Sequence, residues 1–295
     1  LQQGDCRPFI VEGYQVGLVR QDVMKQLMRY PDVFHIQPDS VELNPAFRDY
    51  DERSSRVEAV LRECRSNNMF VTLKGWREEC FEVRSVFSNN SLLKMDRSAT
   101  CLFGIRNYGV DINGYVMDPE KGLCIWLQRR SKFRSMRAGL WNLWVGGGLS
   151  VGYGILETAI KEAAEEASIP PELIAKLRPA GSVSFFFESE RGLFPNTEFV
   201  FDLELPADFL PSNSDGEVET FELLPANEAL EKVFSSEFKT TSCPVVLDFL
   251  IRHGLISPET EPNFPQLVEL LHVPLQSLYT RHRKQNPAEN GQNSI

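Results

Sequence analysis

The chain has 295 residues, 42% of them hydrophobic and 24% charged, an ordinary globular composition with enough length for one large domain or two small ones. A formal net charge of -10 argues against a general nucleic-acid or anionic-membrane binder, since both want a basic face, and no apolar run approaches the length that spans a bilayer. Six scattered cysteines, Cys6, Cys64, Cys80, Cys101, Cys124 and Cys243, make no C-x-x-C pair or metal-finger spacing, which predicts reduced thiols serving as small core residues in an intracellular protein. The chain opens Leu-Gln-Gln rather than with Met, so the expectation is a fragment or processed form. A cytoplasmic location is expected, with a mitochondrial or plastid one as the alternative if a targeting peptide has been removed.

Residues 1–95 read as a small α+β region. Asp22 is placed to cap a helix carrying Val23, Met24, Leu27 and Met28, stopped by Tyr30-Pro31. Ser55 with Glu58 gives a capping-box pattern ahead of Val57, Val60, Leu61 and Cys64. Residues 69–73 and 80–83 read as short strands around Lys74-Gly75-Trp76, and His35 and Trp76 as packing residues. A turn-rich cluster, Ser88-Asn89-Asn90-Ser91, marks a soft break.

Strand signals follow at 99–103, 111–117 and 123–128. A basic run, Arg129, Arg130, Lys132, Arg134 and Arg137, then precedes a glycine-rich loop, Gly146-Gly147-Gly148 to Gly154. In an acidic protein that run is a local exception, read either as a solvated loop or as a clamp for a diphosphate, whose oxygens suit the planar fork of arginine. The loop enters a helix over 158–167 that carries Glu162, Glu165 and Glu166 at i, i+3 and i+4, and Pro170-Pro171 ends it. Like charges at that spacing repel. The face is therefore either a solvated acidic surface or a site for a hard divalent cation, Mg²⁺ or Mn²⁺.

Glycines followed by these carboxylates resemble the box of the Nudix family, G-x5-E-x7-R-E-U-x-E-E-x-G-U, in which U is a bulky aliphatic residue. Counted from Gly147, Lys161-Glu162 fall on R-E, Glu165-Glu166 on E-E and Ile169 on the final U. Tyr153 stands where the first glutamate belongs, Lys161 replaces arginine, Ala163 replaces the aliphatic and Ser168 replaces glycine. Glu157, four residues before Lys161, is expected to pair with it. The flanks, among them Tyr30-Pro-Asp-Val-Phe34, Ile112-Asn-Gly-Tyr115, Asp215-Gly-Glu-Val218 and Phe249-Leu-Ile-Arg-His-Gly254, are similar to the thiamine-pyrophosphokinase-related Nudix subfamily, down to about Tyr279. That subfamily usually has Pro-Gly-x-Leu/Trp-Asp-Asn where this chain reads Ala138-Gly-Leu-Trp-Asn142, and commonly histidine where Asp111 stands.

The resemblance implies an α+β fold, a Nudix-type α/β/α sandwich around a mixed sheet, preceded by a small α+β domain. It divides the chain into an N-terminal extension (1–95), a Nudix hydrolase domain (96–255), and a C-terminal extension with a flexible tail (256–295). It implies Mg²⁺-dependent hydrolysis of thiamine diphosphate analogues, the damaged oxo and oxy forms, to the monophosphate and phosphate. The rivals are another nucleoside diphosphate such as ADP-ribose, and a catalytically silent Nudix-like binding module. The expected metal ligands are Glu162, Glu165 and Glu166. Glu166, Glu165, Lys161 and Glu217 carry the catalytic expectation, with Glu219, Glu188 and Glu190 as further distal carboxylates. Arg129, Arg130, Lys132, Gly147 and Gly148 are expected to hold the substrate, with Trp141, Trp144 and Tyr153 available to stack on a ring.

After the box, a short helix over 171–177, strands at 182–187 and 198–205 joined by a loop at 188–196, a turn over 215–221 entering another strand, and a helix over 226–233 complete the pattern. A last helix is expected with Ser242 as cap, Gly254 after its end, and Val246, Phe249, Leu250 and His253 as its buried stripe.

Overall fold

The computed structural model describes residues 6–131, 139–213 and 216–279. The chain forms two compact units: residues up to Asn107 with 186–195 and the stretch from Pro274, and residues 108–185 with 196–273. Among the described residues, no helix is long and apolar enough to cross a membrane.

In the first unit the elements run β1 (Cys6–Val11), β2 (Tyr14–Arg20), α1 (Gln21–Leu27), β3 (Phe34–Ile36), β4 (Val41–Leu43), α2 (Tyr50–Ser66), β5 (Cys80–Val83) and β6 (Leu93–Asp96). The sheet order is β2-β1-β4-β3, with β5 and β6 paired separately. Glu12 and Gly13 both take positive φ, 51° and 77°, the backbone that closes a two-residue hairpin between Val11 and Tyr14. The core centres on Phe9, Phe34 and Phe103, whose ring centroids lie 4.9 to 6.2 Å apart.

Several local expectations are corrected here. Asp22 sits inside the first turn of α1, and Arg20 holds the capping position. Helix α2 begins well before Ser55: Asp49 caps it by accepting from the Glu52 amide at 2.8 Å, and Ser55 back-bonds to the Glu52 carbonyl in mid-helix. Both apolar runs read as strands at 69–73 and 99–103 instead contain short 3₁₀ turns, Val71–Gly75 and Thr100–Leu102. Short apolar runs do not tell strand from helix, and here Thr72 Oγ1 ties the two turns together by donating to the Ser98 carbonyl at 2.7 Å.

The second unit contains β7 (Asn107–Asp118), β8 (Gly122–Arg130), β9 (Trp141–Leu143), β10 (Val145–Gly148), α3 (Ile155–Ala167), α4 (Pro171–Ile174), β11 (Arg178–Ser189), β12 (Gly192–Glu204), β13 (Val218–Pro225), α5 (Ala226–Val233), α6 (Cys243–Arg252) and α7 (Phe264–Leu271). A last short helix, α8 (Leu275–Tyr279), is counted with the first unit. The sheet runs β11-β12-β7-β8-β13, with β10 on β7 and β9 on β8. The β7–β8, β7–β10, β8–β9 and β8–β13 ladders are antiparallel, and isolated parallel bridges join Trp141 to Phe238 and Ser184 to His272. Strands β7 and β8 pair directly from Tyr115–Ile125 to Asp118–Gly122 and then part. The segment 141–148 fills the gap, pairing first with β8 and then with β7.

Alternation along β7 separates two faces. Val110, Ile112 and Val116 pack with Ala159, Ala163 and Ala167 of α3. On the other face Tyr115 lies 5.5 Å from the Phe249 ring of α6, and Asn113 donates to Asp202, the partner of Arg252. The expected loop at 188–196 is a tight turn between long strands, held by Phe187 stacked on Phe194 at 4.7 Å. Ser242 holds the capping position of α6, yet its hydroxyl donates to Asn142 Oδ1 and not to a helix amide.

Candidate functional site

The site grows from the way α3 meets β10. Alanines on the inner stripe of the helix let its axis approach the glycine strand closely, and the flanking positions carry Glu162 and Glu166. Gly147 is required there: a Cβ on it would fall 2.3 Å from the Glu162 carboxyl carbon. Glu166, 4% exposed, accepts from the Gly146 amide at 3.1 Å and from the Gln128 side chain at 3.5 Å, the outer limit of a hydrogen bond. Burial pushes its carboxyl up to about 8, partly opposed by the Gly146 amide and reinforced by neighbouring Glu162.

Lys161 stands between Glu162 and Glu165 at 3.2 and 3.4 Å, and its ammonium lies 5.7 Å from the Tyr153 ring centre. Glu157 does not pair with it as expected. Its carboxylate turns back to accept from the Gly154 amide at 2.9 Å, which caps the helix after the glycine loop. Arg130 pairs with Glu217 at 3.0 Å, and both act electrostatically on Glu166. This places a strand-end arginine and the distal carboxylate beside the helix carboxylates.

The other expected residues divide. Gly148 lies opposite Gly109 in the β10–β7 ladder. Arg129 donates to the Gly139 carbonyl at 3.0 Å and packs over Trp141. Lys132, with Arg134 and Arg137, lies outside the described residues. Glu219 is exposed on β13. Glu188 pairs with Arg20 in the first unit, and the Glu190 carbonyl also accepts from Arg20. Trp141 and Trp144 are buried, the first beneath Lys232 at 3.6 Å and the second edge-on to Phe209, so of the three aromatic rings only Tyr153 is exposed for stacking.

Sequence reasoning missed Gln128 and Glu198. Gln128 is a fully buried amide at the junction of the apolar run 123–127 with Arg129 and Arg130 in β8, so in the sequence it reads as the start of the basic run and gives no signal of its burial. Glu198 crowds Gly109, where a Cβ would fall 2.0 Å from its carboxylate oxygen. It lies on the Asp111 side of the sheet, and Asp111 is held well above the usual carboxylate range, first by burial and then by Glu198, with Lys239 opposing. Because the folded value is raised, this carboxyl stabilises the fold at low pH and loses that contribution as pH rises. Asp111→Asn is therefore expected to raise Tm more at pH 8 than at pH 5 in thermal scans.

A hard divalent cation suits the donor set, which is carboxylate oxygen on one helix face against backbone bare of Cβ atoms. Among the described residues, no three acidic, histidine or cysteine side chains stand together as a finished cage. Gly147→Ala tests the placement: the methyl must displace Glu162, so activity is expected to fall about tenfold to a hundredfold, while Tm, read by calorimetry, moves little because the displaced group is a side-chain end.

Two family models match in succession: a domain of unknown function (DUF4743) over residues 1–107 and the NUDIX domain over residues 107–241. Nudix hydrolase 24, chloroplastic, of Arabidopsis thaliana is 33% identical, over 91% of this chain and 73% of its own length. The chain belongs to the Nudix hydrolase family. It is a hydrolase acting on pyrophosphate bonds. Arabidopsis Nudix hydrolase 20, chloroplastic, is 32% identical over 87% of this chain and 70% of its own. The uncharacterized yeast protein YJR142W is 31% identical over 88% and 81%. The NUDIX domain of Shewanella oneidensis NrtR, solved with ADP ribose, aligns with 51% of this chain and 90% of its own at 16% identity and a TM-score of 0.40. In this Nudix hydrolase, Glu162, Glu165 and Glu166, which the sequence resemblance aligns with the box, lie on α3, the helix that packs against β10.

Proposed function

We propose that this Nudix hydrolase cleaves the terminal phosphoanhydride of thiamine diphosphate analogues, the oxo and oxy forms above all, giving the monophosphate and phosphate. The carrying observation is the packing of Glu162 and Glu166 against the glycine strand, with the Arg130–Glu217 pair beside them. The substrate class is supported by the resemblance of the flanking residues along nearly the whole chain.

Glu162, Glu166 and Glu165 would hold Mg²⁺ or Mn²⁺, which when bound would neutralise phosphate oxygens and lower the pKa of water. Lys161 fixes the Glu162 and Glu165 carboxylates by its two short contacts. It acts as a point charge where the family's arginine presents a fork. Arg130 binds a phosphate oxygen while holding Glu217 as a distal carboxylate, and Glu166 takes the proton of the attacking water. Water adds to the terminal phosphorus, the bridging P–O bond breaks, and its oxygen leaves on the monophosphate. Tyr153, in place of the first box glutamate, favours a catalytically silent binding module as the second reading. The chloroplastic naming of two relatives supports the plastid alternative for location.

A panel of oxothiamine diphosphate, thiamine diphosphate and ADP-ribose, each with and without Mg²⁺, tests this by phosphate release. Mg²⁺-dependent release fastest from the oxo form is expected. A faster ADP-ribose reaction would replace the substrate class, and binding without release from any diphosphate would establish the silent module.

A further inference from the structure

Strand β10 has an acid on each side. Gly146 and Gly147 are consecutive and so look to opposite faces. A Cβ on Gly147 would meet the Glu162 carboxylate, and one on Gly146 would strike Asp111 Oδ1. Asp111 stands opposite Gly146 in the ladder, and Gly109, two residues before it on β7, looks to the same face as Asp111. A Cβ on Gly109 would strike Glu198 Oε2. Two glycines therefore make room for two carboxyl groups on the face of the sheet turned away from α3.

Asp202 shows how a structural acid on that face is held. It is 9% exposed, accepts from Asn113 and pairs with Arg252. Asp111 is as buried, at 7% exposed, yet among the described residues it accepts no hydrogen bond, and its oxygens are not sealed from solvent. A buried carboxyl without a protein partner costs the fold, and a ligand that bonds it removes that cost. Glu198 beside it is half-buried. Burial and the Glu198 charge keep the proton on Asp111, with Lys239 opposing. A neutral carboxyl donates one O–H, whereas a carboxylate only accepts. Side by side, the two match an edge on which a bare ring nitrogen adjoins an amino group. Asp111 also interacts electrostatically with Glu166, so the pair and the box carboxylates share one neighbourhood across a single strand.

We propose that Asp111 and Glu198 form the subsite for the aminopyrimidine ring of the substrate, Asp111 donating to a ring nitrogen and Glu198 accepting from the adjacent amino group. This rests on the thiamine-analogue reading above and adds which end of the molecule the sheet reads. The oxo form keeps that edge. The oxy form has a carbonyl in place of the amine and an N–H in place of the bare nitrogen, so the subsite favours the oxo form.

Calorimetric titration of the full chain with 4-amino-2-methylpyrimidine at pH 7.5, without Mg²⁺, tests the subsite apart from any hydrolysis. One saturable site with Kd of about 1 mM or tighter is expected, within reach of a ligand of so few atoms. The matching lactam, 2-methylpyrimidin-4-one, should bind at least about tenfold more weakly, and Asp111→Ala and Glu198→Ala should each weaken the amine by a similar factor. Asp111→Asn, whose amide still donates, should stay within about threefold of the unsubstituted protein. Absence of saturable uptake, equal binding of the lactam, or unchanged affinity in Glu198→Ala overturns the proposal. Should Asp111→Ala fail to fold, Glu198→Ala decides, because removing that half-buried charge relieves a repulsion. Adenosine carries the same edge on a larger base, and tighter binding of it than of the pyrimidine would overturn the assignment. With oxothiamine diphosphate and Mg²⁺, Glu198→Ala should raise KM about tenfold and leave kcat within about twofold; an unchanged KM overturns the subsite. If the unsubstituted protein binds the pyrimidine and releases no phosphate, the diphosphatase reading falls and the subsite stands.

Discussion

Replacing Glu166 with glutamine is expected to cut Mg²⁺-dependent phosphate release at least about a hundredfold and, in EDTA at pH 7.5, to raise the melting temperature by several degrees. The two effects share one cause. The carboxyl is buried, with only the Gly146 amide and the Gln128 side chain among the described residues to hydrogen-bond it, and burial pushes it to about 8 from an ordinary 4.5. The unfolded chain ionises this group at ordinary acidity, whereas the metal-free fold keeps its proton. Stability is therefore fully present below the ordinary value and is lost as pH rises toward 8. At pH 7.5 the loss is on the order of 4 kcal/mol, counting about 1.4 kcal/mol for each pH unit above the unfolded value.

Glutamine keeps the shape and discards the charge, so its advantage should shrink at pH 5, where both chains carry a neutral group. Added Mg²⁺ should stabilise the unsubstituted protein more than the variant, since a ligand that binds the folded state raises its stability. Calorimetry at pH 5 and 7.5, with EDTA and with Mg²⁺, reads all four cases. A variant that melts lower at both pH values in EDTA would show that the buried carboxylate costs the fold nothing.

Much of this site was legible from helical spacing. Glycines, then carboxylates at i, i+3 and i+4, place Glu162 and Glu166 on one face wherever the helix packs. The partners on other elements were not legible. Gln128 meets Glu166 only because β8 pairs with the segment that carries Asn142, and the crowding of Gly109 by Glu198 depends on the sheet order β12-β7. Register of that kind is a tertiary property. Glu157 shows the converse error: a four-residue spacing to Lys161 suggested an ion pair, but the bare backbone amide at Gly154 was the stronger claimant for its carboxylate. In the first unit, the runs at 69–73 and 99–103 have strand-like composition, yet local backbone bonds three residues apart close each as a turn, and Thr72 links the first to the Ser98 carbonyl beside the second.

Gly114→Ala is expected to destabilise the second unit by about 2–3 kcal/mol, the range for forcing volume into a close-packed core. The ideal Cβ would lie 2.1, 2.3 and 2.7 Å from three carbons of the Trp144 ring. That ring cannot swing outward, being 1% exposed and set edge-on to Phe209 at 6.2 Å. It fills the gap where β7 and β8 part, one residue before β10 begins. Trp144→Leu alone should also be costly, about 3 kcal/mol for the contacts removed. In the double variant the added methyl meets the space that the indole has left, so the two penalties should fall short of their sum by about 1–3 kcal/mol. Urea unfolding of the four proteins measures this coupling, and simple additivity would place the indole away from Gly114. Because Trp144 adjoins the strand whose glycines receive Glu162 and Glu166, Gly114→Ala should also slow phosphate release in the protein that remains folded. Trp144 thus connects core packing to the spacing of the carboxylates.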